Sequence, residues 1–145
     1  MTGLLNRRCY DVNMADLGSK AVILLFDVDQ FKQVNDTFGH SVGDICLQQV
    51  AGILRNIYGR YGLCYRIGGD EFAVIMRSGL GRTEILNRGF DSLIRKLREA
   101  DGRMPGVSMG YARYDDAASH IQDVLKEADA MLYRRKSEKT QVPGS

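Results

Sequence analysis

Long hydrophobic runs are missing from this chain. The longest aliphatic stretch, Ala21 to Phe26, falls far short of the roughly 20 apolar residues that span a bilayer. No secretory signal is visible at the start. Charge of one sign is missing too: the net charge is +2, which argues for neither a nucleic-acid partner nor a membrane contact. Cysteine is scarce. Cys9, Cys46 and Cys64 are odd in number and none forms a CxxC pair, so disulfides and zinc are disfavoured. Cys9 and Cys46 fall on apolar helix faces, which suits reduced core thiols in a cytosolic protein. GxxxxGK(S/T), HExxH, GxSxG and a GxGxxG after a strand are all absent, so no competing catalytic motif is present. His40 and His120 are isolated.

What is present is an ordinary globular composition. The 145 residues are 44% hydrophobic and 26% charged, enough for one compact domain with a core. No repeat, low-complexity segment or linker interrupts it. Met1-Thr2-Gly3 opens almost directly on a helix, and Val142-Pro143-Gly144-Ser145 reads as a loose tail. The expectation is a single domain over residues 1–140, cut from a longer protein, with a tail over 141–145.

Periodicity predicts a helix from about Leu5 to Leu17, stopped at Gly18. Ala21 to Val28 reads as a buried strand. A short helix, Phe31 to Phe38, ends at Gly39. Val42, Cys46, Val50, Ile53 and Ile57 then define one face of a longer helix. Leu63 to Ile67 and Phe72 to Met76 read as strands joined by Gly68-Gly69, since glycine accepts the positive φ of tight hairpins. Thr83 to Ala100 is helical, Met104 to Ala112 a strand. Ser119-His120-Ile121-Gln122 resembles a capping box opening a last helix. A hairpin pair must be antiparallel, and the other strands connect through helices. The expected fold is an α+β sandwich with a ferredoxin-like core: one mostly antiparallel sheet with flanking helices.

Two acidic clusters carry the chemistry. In Arg66-Ile67-Gly68-Gly69-Asp70-Glu71-Phe72, adjacent carboxylates repel unless a cation sits between them. The glycines let a ligand approach the backbone. In Asp27-Val28-Asp29, the strand period of two aims both carboxylates one way. Asp29 alone is equally readable as a cap for the next helix. If Asp27 lies beside the glycine turn, Asp27, Asp70 and Glu71 converge, and such an oxygen-only set suits Mg²⁺ or Mn²⁺. Paired metals serve phosphoryl or nucleotidyl transfer. The helix start at Phe31-Lys32 attracts phosphate, although Lys32 also reads as a solvated lysine. Asn35 and Asp44 either belong to an ordinary turn or face a base. A carboxylate there matches the two donors of guanine.

These segments together resemble the GGDEF family of diguanylate cyclases. Thr2-Gly3-Leu4-Leu5-Asn6-Arg7-Arg8 is similar to the family's TGLxNRR opening. Asp27 to Asp44 is similar to DxDxFKxxNDxxGHxxGD, and Arg66 to Phe72 is an intact RxGGDEF. Val107 to Ala112 is similar to VSxGxA, and Ala128 to Lys136 to ADxALYxAK. The resemblance implies a fold related to nucleotidyl cyclase catalytic domains. It implies a bacterial second-messenger reaction in which two GTP become cyclic di-GMP and two pyrophosphates. It implies two Mg²⁺ or Mn²⁺ per site on Asp27, the Val28 carbonyl, Asp70 and Glu71. Glu71 or a metal-bound water would take the 3′-hydroxyl proton, with Asp70 and Arg66 also catalytic. Asn35 and Asp44 would read guanine. Phe31, Lys32, Gly69 and Lys136 would hold phosphate. The implied partners are GTP, a second domain of the same kind during catalysis, and an N-terminal sensor or dimerising segment absent from this chain. The implied location is the cytoplasm. Two departures stand out. The positions of the family's RxxD product-inhibition site are Gly59 and Gly62, so that site is expected to be absent. The usual C-terminal arginine falls on Thr140, with Lys139 as a partial substitute. The alternative reading is a weak or inactive module that binds GTP or a protein.

Overall fold

The strand β1 (Lys20–Val28) is apolar at nearly every position and buried over most of its length. Such a strand belongs inside a sheet, covered on both faces. In the computed structural model, which describes residues 2–140 apart from the side chain of Thr140, β1 is central. Met1 and the expected tail at 141–145 lie outside the described residues. β1 pairs with β3 (Glu71–Met76) on one side and β4 (Val107–Asp115) on the other, and β2 (Gly62–Arg66) pairs with β3. The order is β2-β3-β1-β4 and every pair is antiparallel. This is the α+β fold expected from the element order.

Side chains alternate across β1. Val22, Leu24, Phe26 and Val28 enter the larger core with Leu54 and Tyr58 of α3 (His40–Tyr58) and Phe90 of α4 (Thr83–Ala100). Phe26 sits 5.0 Å from Phe90, centroid to centroid, in a tilted pair. The Tyr58 hydroxyl, buried there, donates to Asn87 Oδ1 at 2.7 Å. Ala21 and Ile23 enter a smaller core on the other face. It is built with Tyr10 of α1 (Arg7–Met14) and Val124 and Ala128 of α5 (Ile121–Thr140). The sheet is thus sandwiched, and odd-numbered β1 residues, Asp27 among them, face α5. Gly110 lets α5 lie directly on β4: a Cβ there would stand 2.1 Å from the Ala128 carbonyl oxygen and 2.4 Å from Leu132 N. Among the described residues no helix is long and apolar enough to cross a membrane.

Four local readings change. The first helix is shorter than its periodicity suggests. The Asn6 side chain caps it by accepting the Cys9 N–H at 2.9 Å. Leu5 is diverted to the β2 edge, donating to Cys64 O and accepting from Arg66 N. Gly68 and Gly69 do not adopt positive φ. The strands are joined over residues 67–70 rather than by two residues, so no mirror-image turn is needed. β4 begins at Val107, not Met104, because the Met104 N–H closes a turn on Asp101 O and Pro105 has none to give. Ser119 Oγ accepts from the Asp115 N–H and closes that turn; the helix itself starts at Ile121.

Candidate active site

The antiparallel register sets the site. Asp27, the last residue of β1 on the face toward α5, pairs with Glu71 of β3, and Val28 N–H donates to Asp70 O at 3.0 Å. The two acidic clusters, far apart in sequence, therefore meet at one corner of the sheet. Glu71 O accepts from Ile67 N–H and Gly68 N–H, which folds the glycine turn back on itself. A Cβ on Gly68 would stand 3.2 Å from Glu71 Cβ, whereas one on Gly69 would meet nothing within 4 Å. A side chain on Gly68 would thus crowd that of Glu71, and Gly69 leaves open space above its backbone. Arg66 turns back on this loop: its Nη2 donates to Gly69 O at 2.7 Å and its Nε to the Gly68 and Gly69 carbonyls.

Opposite the turn stands the end of α5. Lys136 Nζ donates to Asp27 Oδ2 at 2.6 Å, a half-buried ion pair. Asp27 Oδ1 is buried and has no partner. Burial pushes the Asp27 carboxyl up; the Lys136 hydrogen bond opposes this, and the Asp70 and Asp29 charges add to it. Burial would pull the Lys136 ammonium down, but its bond to Asp27 and the surrounding carboxylates win and raise it. The two shifts differ in origin: burial is the larger cause for Asp27, whereas the carboxylates of Asp27, Asp29 and Asp70 raise Lys136, as a corner rich in acidic groups does for a cation. Among the described residues, however, no three His, Cys, Asp or Glu side chains gather into a metal cage. Asp27, Asp70 and Glu71 share the corner without closing on a common point. Like charges have no reason to do so, and Lys136 supplies the local countercharge.

Asp29 does not cap the next helix. Its Oδ1 accepts the Ser108 hydroxyl at 2.6 Å and its Oδ2 accepts Lys139 Nζ at 2.7 Å. The N-cap of α2 (Phe31–Phe38) is Gln30, in a left-handed conformation with φ 51° and no side-chain cap bond. Phe31 is half-buried and Lys32 exposed at the start of α2. Asn35, on the next turn, packs against α3. A Cβ on Gly43 would lie 1.9 Å from Asn35 Oδ1, so Asn35 holds this position only beside a glycine. That Oδ1 is buried and unpartnered. Asp44, next to Gly43, is exposed. The structure thus brings Asn35 next to the residue preceding Asp44 and puts Asp27, Asp70, Glu71, Lys136 and the glycine turn at one corner. Sequence reasoning gave no partner for Asp29. Ser108 lay in a recognised motif and Lys139 near another, but their meeting at one carboxylate had no local signal.

The chain matches the family described as "Diguanylate cyclase, GGDEF domain" over residues 1–141. It is 32% identical over 154 aligned residues to the diguanylate cyclase DgcP of Escherichia coli, covering 99% of this chain and 45% of that protein. The diguanylate cyclase SiaD of Pseudomonas aeruginosa, solved with its activator SiaC, superposes with a TM-score of 0.79 at 29% identity. It covers 94% of this chain and 56% of its own. The GGDEF domain of DgcB from Caulobacter crescentus, solved with c-di-GMP, gives a TM-score of 0.79 at 25% identity, over 95% and 87% of the two chains. The chain spans less than half the length of the curated relatives it matches. A family match that runs through both acidic segments, on a fold shared with solved members of that family, means that this chain belongs to the GGDEF domain family.

Proposed function

We propose that residues 1–140 act as one diguanylate cyclase domain that condenses two GTP into cyclic di-GMP and two pyrophosphates. The observation that carries this reading is Asp27 Oδ1, buried and unpartnered at the corner where Asp70 and Glu71 also end. A buried carboxylate oxygen without a donor is costly unless a cation completes it. Asp27, the Val28 carbonyl, Asp70 and Glu71 offer only hard oxygen donors, which fits Mg²⁺ or Mn²⁺, two per site. Bound there, the metals neutralise phosphate charge and make the attacking 3′-hydroxyl more acidic.

The chain's own groups supply the rest. Asn35 and Asp44 orient the guanine. The α2 N-terminus at Phe31 and Lys32 seats phosphate, and the open backbone at Gly69 lets a phosphate oxygen come close. Lys136 leaves Asp27 Oδ2 for a phosphate oxygen when GTP enters. Glu71 stands ready to help accept the 3′-hydroxyl proton. Arg66, braced on the Gly69 carbonyl, offsets charge that develops beside the turn. Each domain seats one GTP, so two domains meet during catalysis. A sensor or dimerising segment of the parent protein raises their local concentration. The domain works in the cytoplasm, whether or not the parent is membrane-anchored. The reading includes no RxxD product site, and the crowding at Gly62 supports this: a Cβ there would lie 2.0 Å from the Ile75 carbonyl oxygen, so an aspartate does not fit without backbone movement.

The test is incubation with GTP and Mg²⁺ at high protein concentration, with product identified by mass. Cyclic di-GMP is expected, and Asp27→Asn should reduce its formation more than about 100-fold. Folded, dimeric protein that makes none refutes the reading. A second reading, a non-catalytic module that binds GTP or a partner, is supported by the pairing of Lys136 and Lys139 with Asp27 and Asp29. Calorimetry that finds binding of GTP without turnover selects it.

A further inference from the structure

Asp29 lies two residues beyond Asp27, yet both its oxygens are taken, by Ser108 at 2.6 Å and Lys139 at 2.7 Å. Its N–H donates to Gly106 O at 2.9 Å. Lys139 adds a bond to the Val107 carbonyl at 3.0 Å. Ser108 is buried, and so is Gly106. A Cβ on Gly106 would stand 2.9 Å from Asp29 Oδ2, so the contact closes only on glycine. The end of β1, the start of β4 and the end of α5 thus meet on one carboxylate.

The next residue explains why that matters. Among the described residues Gln30 is the one non-glycine residue with positive φ. It opens α2 with no side-chain cap bond. A left-handed residue with a side chain persists only where its surroundings hold it, and such strain collects at ligand sites. The residue just before it, Asp29, is the one tied down on three sides.

We propose that Asp29, Ser108 and Lys139 form a positioning unit that locks the left-handed turn at Gln30. The lock fixes the Phe31 and Lys32 N–H groups where the triphosphate is seated. Asp29 then holds no metal and Lys139 holds no phosphate, because each is committed to the other. The C-terminal turn of α5 governs the phosphate seat through this contact as well as through Lys136. The ligand in this inference rests on the cyclase reading; the locked turn does not.

Hydrogen exchange and calorimetry with a non-hydrolysable GTP analogue and Mg²⁺ test it on wild type, Lys139→Met, Asp29→Asn and the double variant. In Lys139→Met, exchange at Gln33 and Val34, whose N–H groups donate to Gln30 O, should quicken about tenfold while α1 and α3 keep their protection. The melting temperature should hold within about 2 °C, because Lys139 is largely exposed. Affinity for the analogue should fall about tenfold, equal to about 1.4 kcal/mol. Lys139→Arg should restore both, and the double variant should be no worse than Asp29→Asn alone, as for one unit. Unchanged exchange at Gln33 and Val34 overturns the inference. So do losses that add fully in the double variant, or a uniform loss of protection with a lower melting temperature. Wild-type protein that binds no analogue refutes the cyclase reading, and the exchange comparison still decides the positioning role.

Discussion

Gly110→Ala should loosen the contact on which the lysine side of the site depends. The added methyl would lie 2.1 Å from Ala128 O and 2.4 Å from Leu132 N, both backbone atoms of α5. Backbone cannot rotate away as a side chain can, so the helix must back off by at least about 1.3 Å to restore ordinary contact. Even a gap of about 1 Å forfeits up to half of the dispersion energy along the interface. Val124 and Ala128 are buried in that interface, with Ile121 and Leu125 packed against them. Overpacking of this kind costs about 1–3 kcal/mol. For a chain of this length that corresponds to a melting temperature lower by about 3–9 °C. The same shift moves Lys136 and Lys139 away from Asp27 and Asp29, so affinity for a GTP analogue should fall as well. Urea and thermal unfolding measure the first effect and calorimetry the second. Gly52→Ala is the control: it lies inside α3, and a Cβ there meets nothing within 4 Å. It should stabilise by about 0.5–1 kcal/mol through helix propensity. A Gly110→Ala loss below about 1 kcal/mol would refute the close-approach argument.

Three further outcomes are expected. Gly43→Ala places a methyl 1.9 Å from Asn35 Oδ1 and turns that side chain away. Affinity for a GTP analogue should drop about tenfold or more and that for inorganic triphosphate much less, since the base contact is lost while the Phe31 ring, which the methyl meets at 3.1 Å, has only to give slightly; calorimetry with both ligands checks it. In native protein one thiol should react readily with a disulfide reagent near pH 8, and three after unfolding. Cys9 is partly exposed, whereas Cys46 and Cys64 are buried and burial pushes both thiols up, Cys64 to about 11. Rapid modification of two or more would contradict the packing. Rebuilding a product site by Gly62→Asp should destabilise by about 1–3 kcal/mol, because β2 has no room for a side chain beside the Ile75 carbonyl. Chemical unfolding would show it, and an unchanged midpoint would refute it.

The sequence alone determined the order of elements and where its chemistry lies. β1 announced itself as an uninterrupted apolar run, and α2 and α4 start and stop at the residues their periodicity marks. The RxGGDEF turn and the DxD strand end stood out because clustered carboxylates after apolar runs are expensive and therefore informative. Local patterns fail where the deciding contact is remote. Asn6 and Leu5 shortened the first helix because β2 offered Leu5 an edge. Asp29 was readable equally as a cap or as a partner of Asp27, because nothing near it in sequence decided between them. Its partners lie 79 and 110 positions away, and the Lys136 to Asp27 pair spans 109. The glycines divide in the same way. Gly43, Gly62, Gly106 and Gly110 are needed for space against other segments, which no φ preference in the sequence reveals. The sequence supplied the acidic groups and the signature. Only the tertiary structure decided which carboxylate is tied off and which is left with an unmet oxygen, because packing of α5 on the sheet, not local pattern, distributes the countercharges.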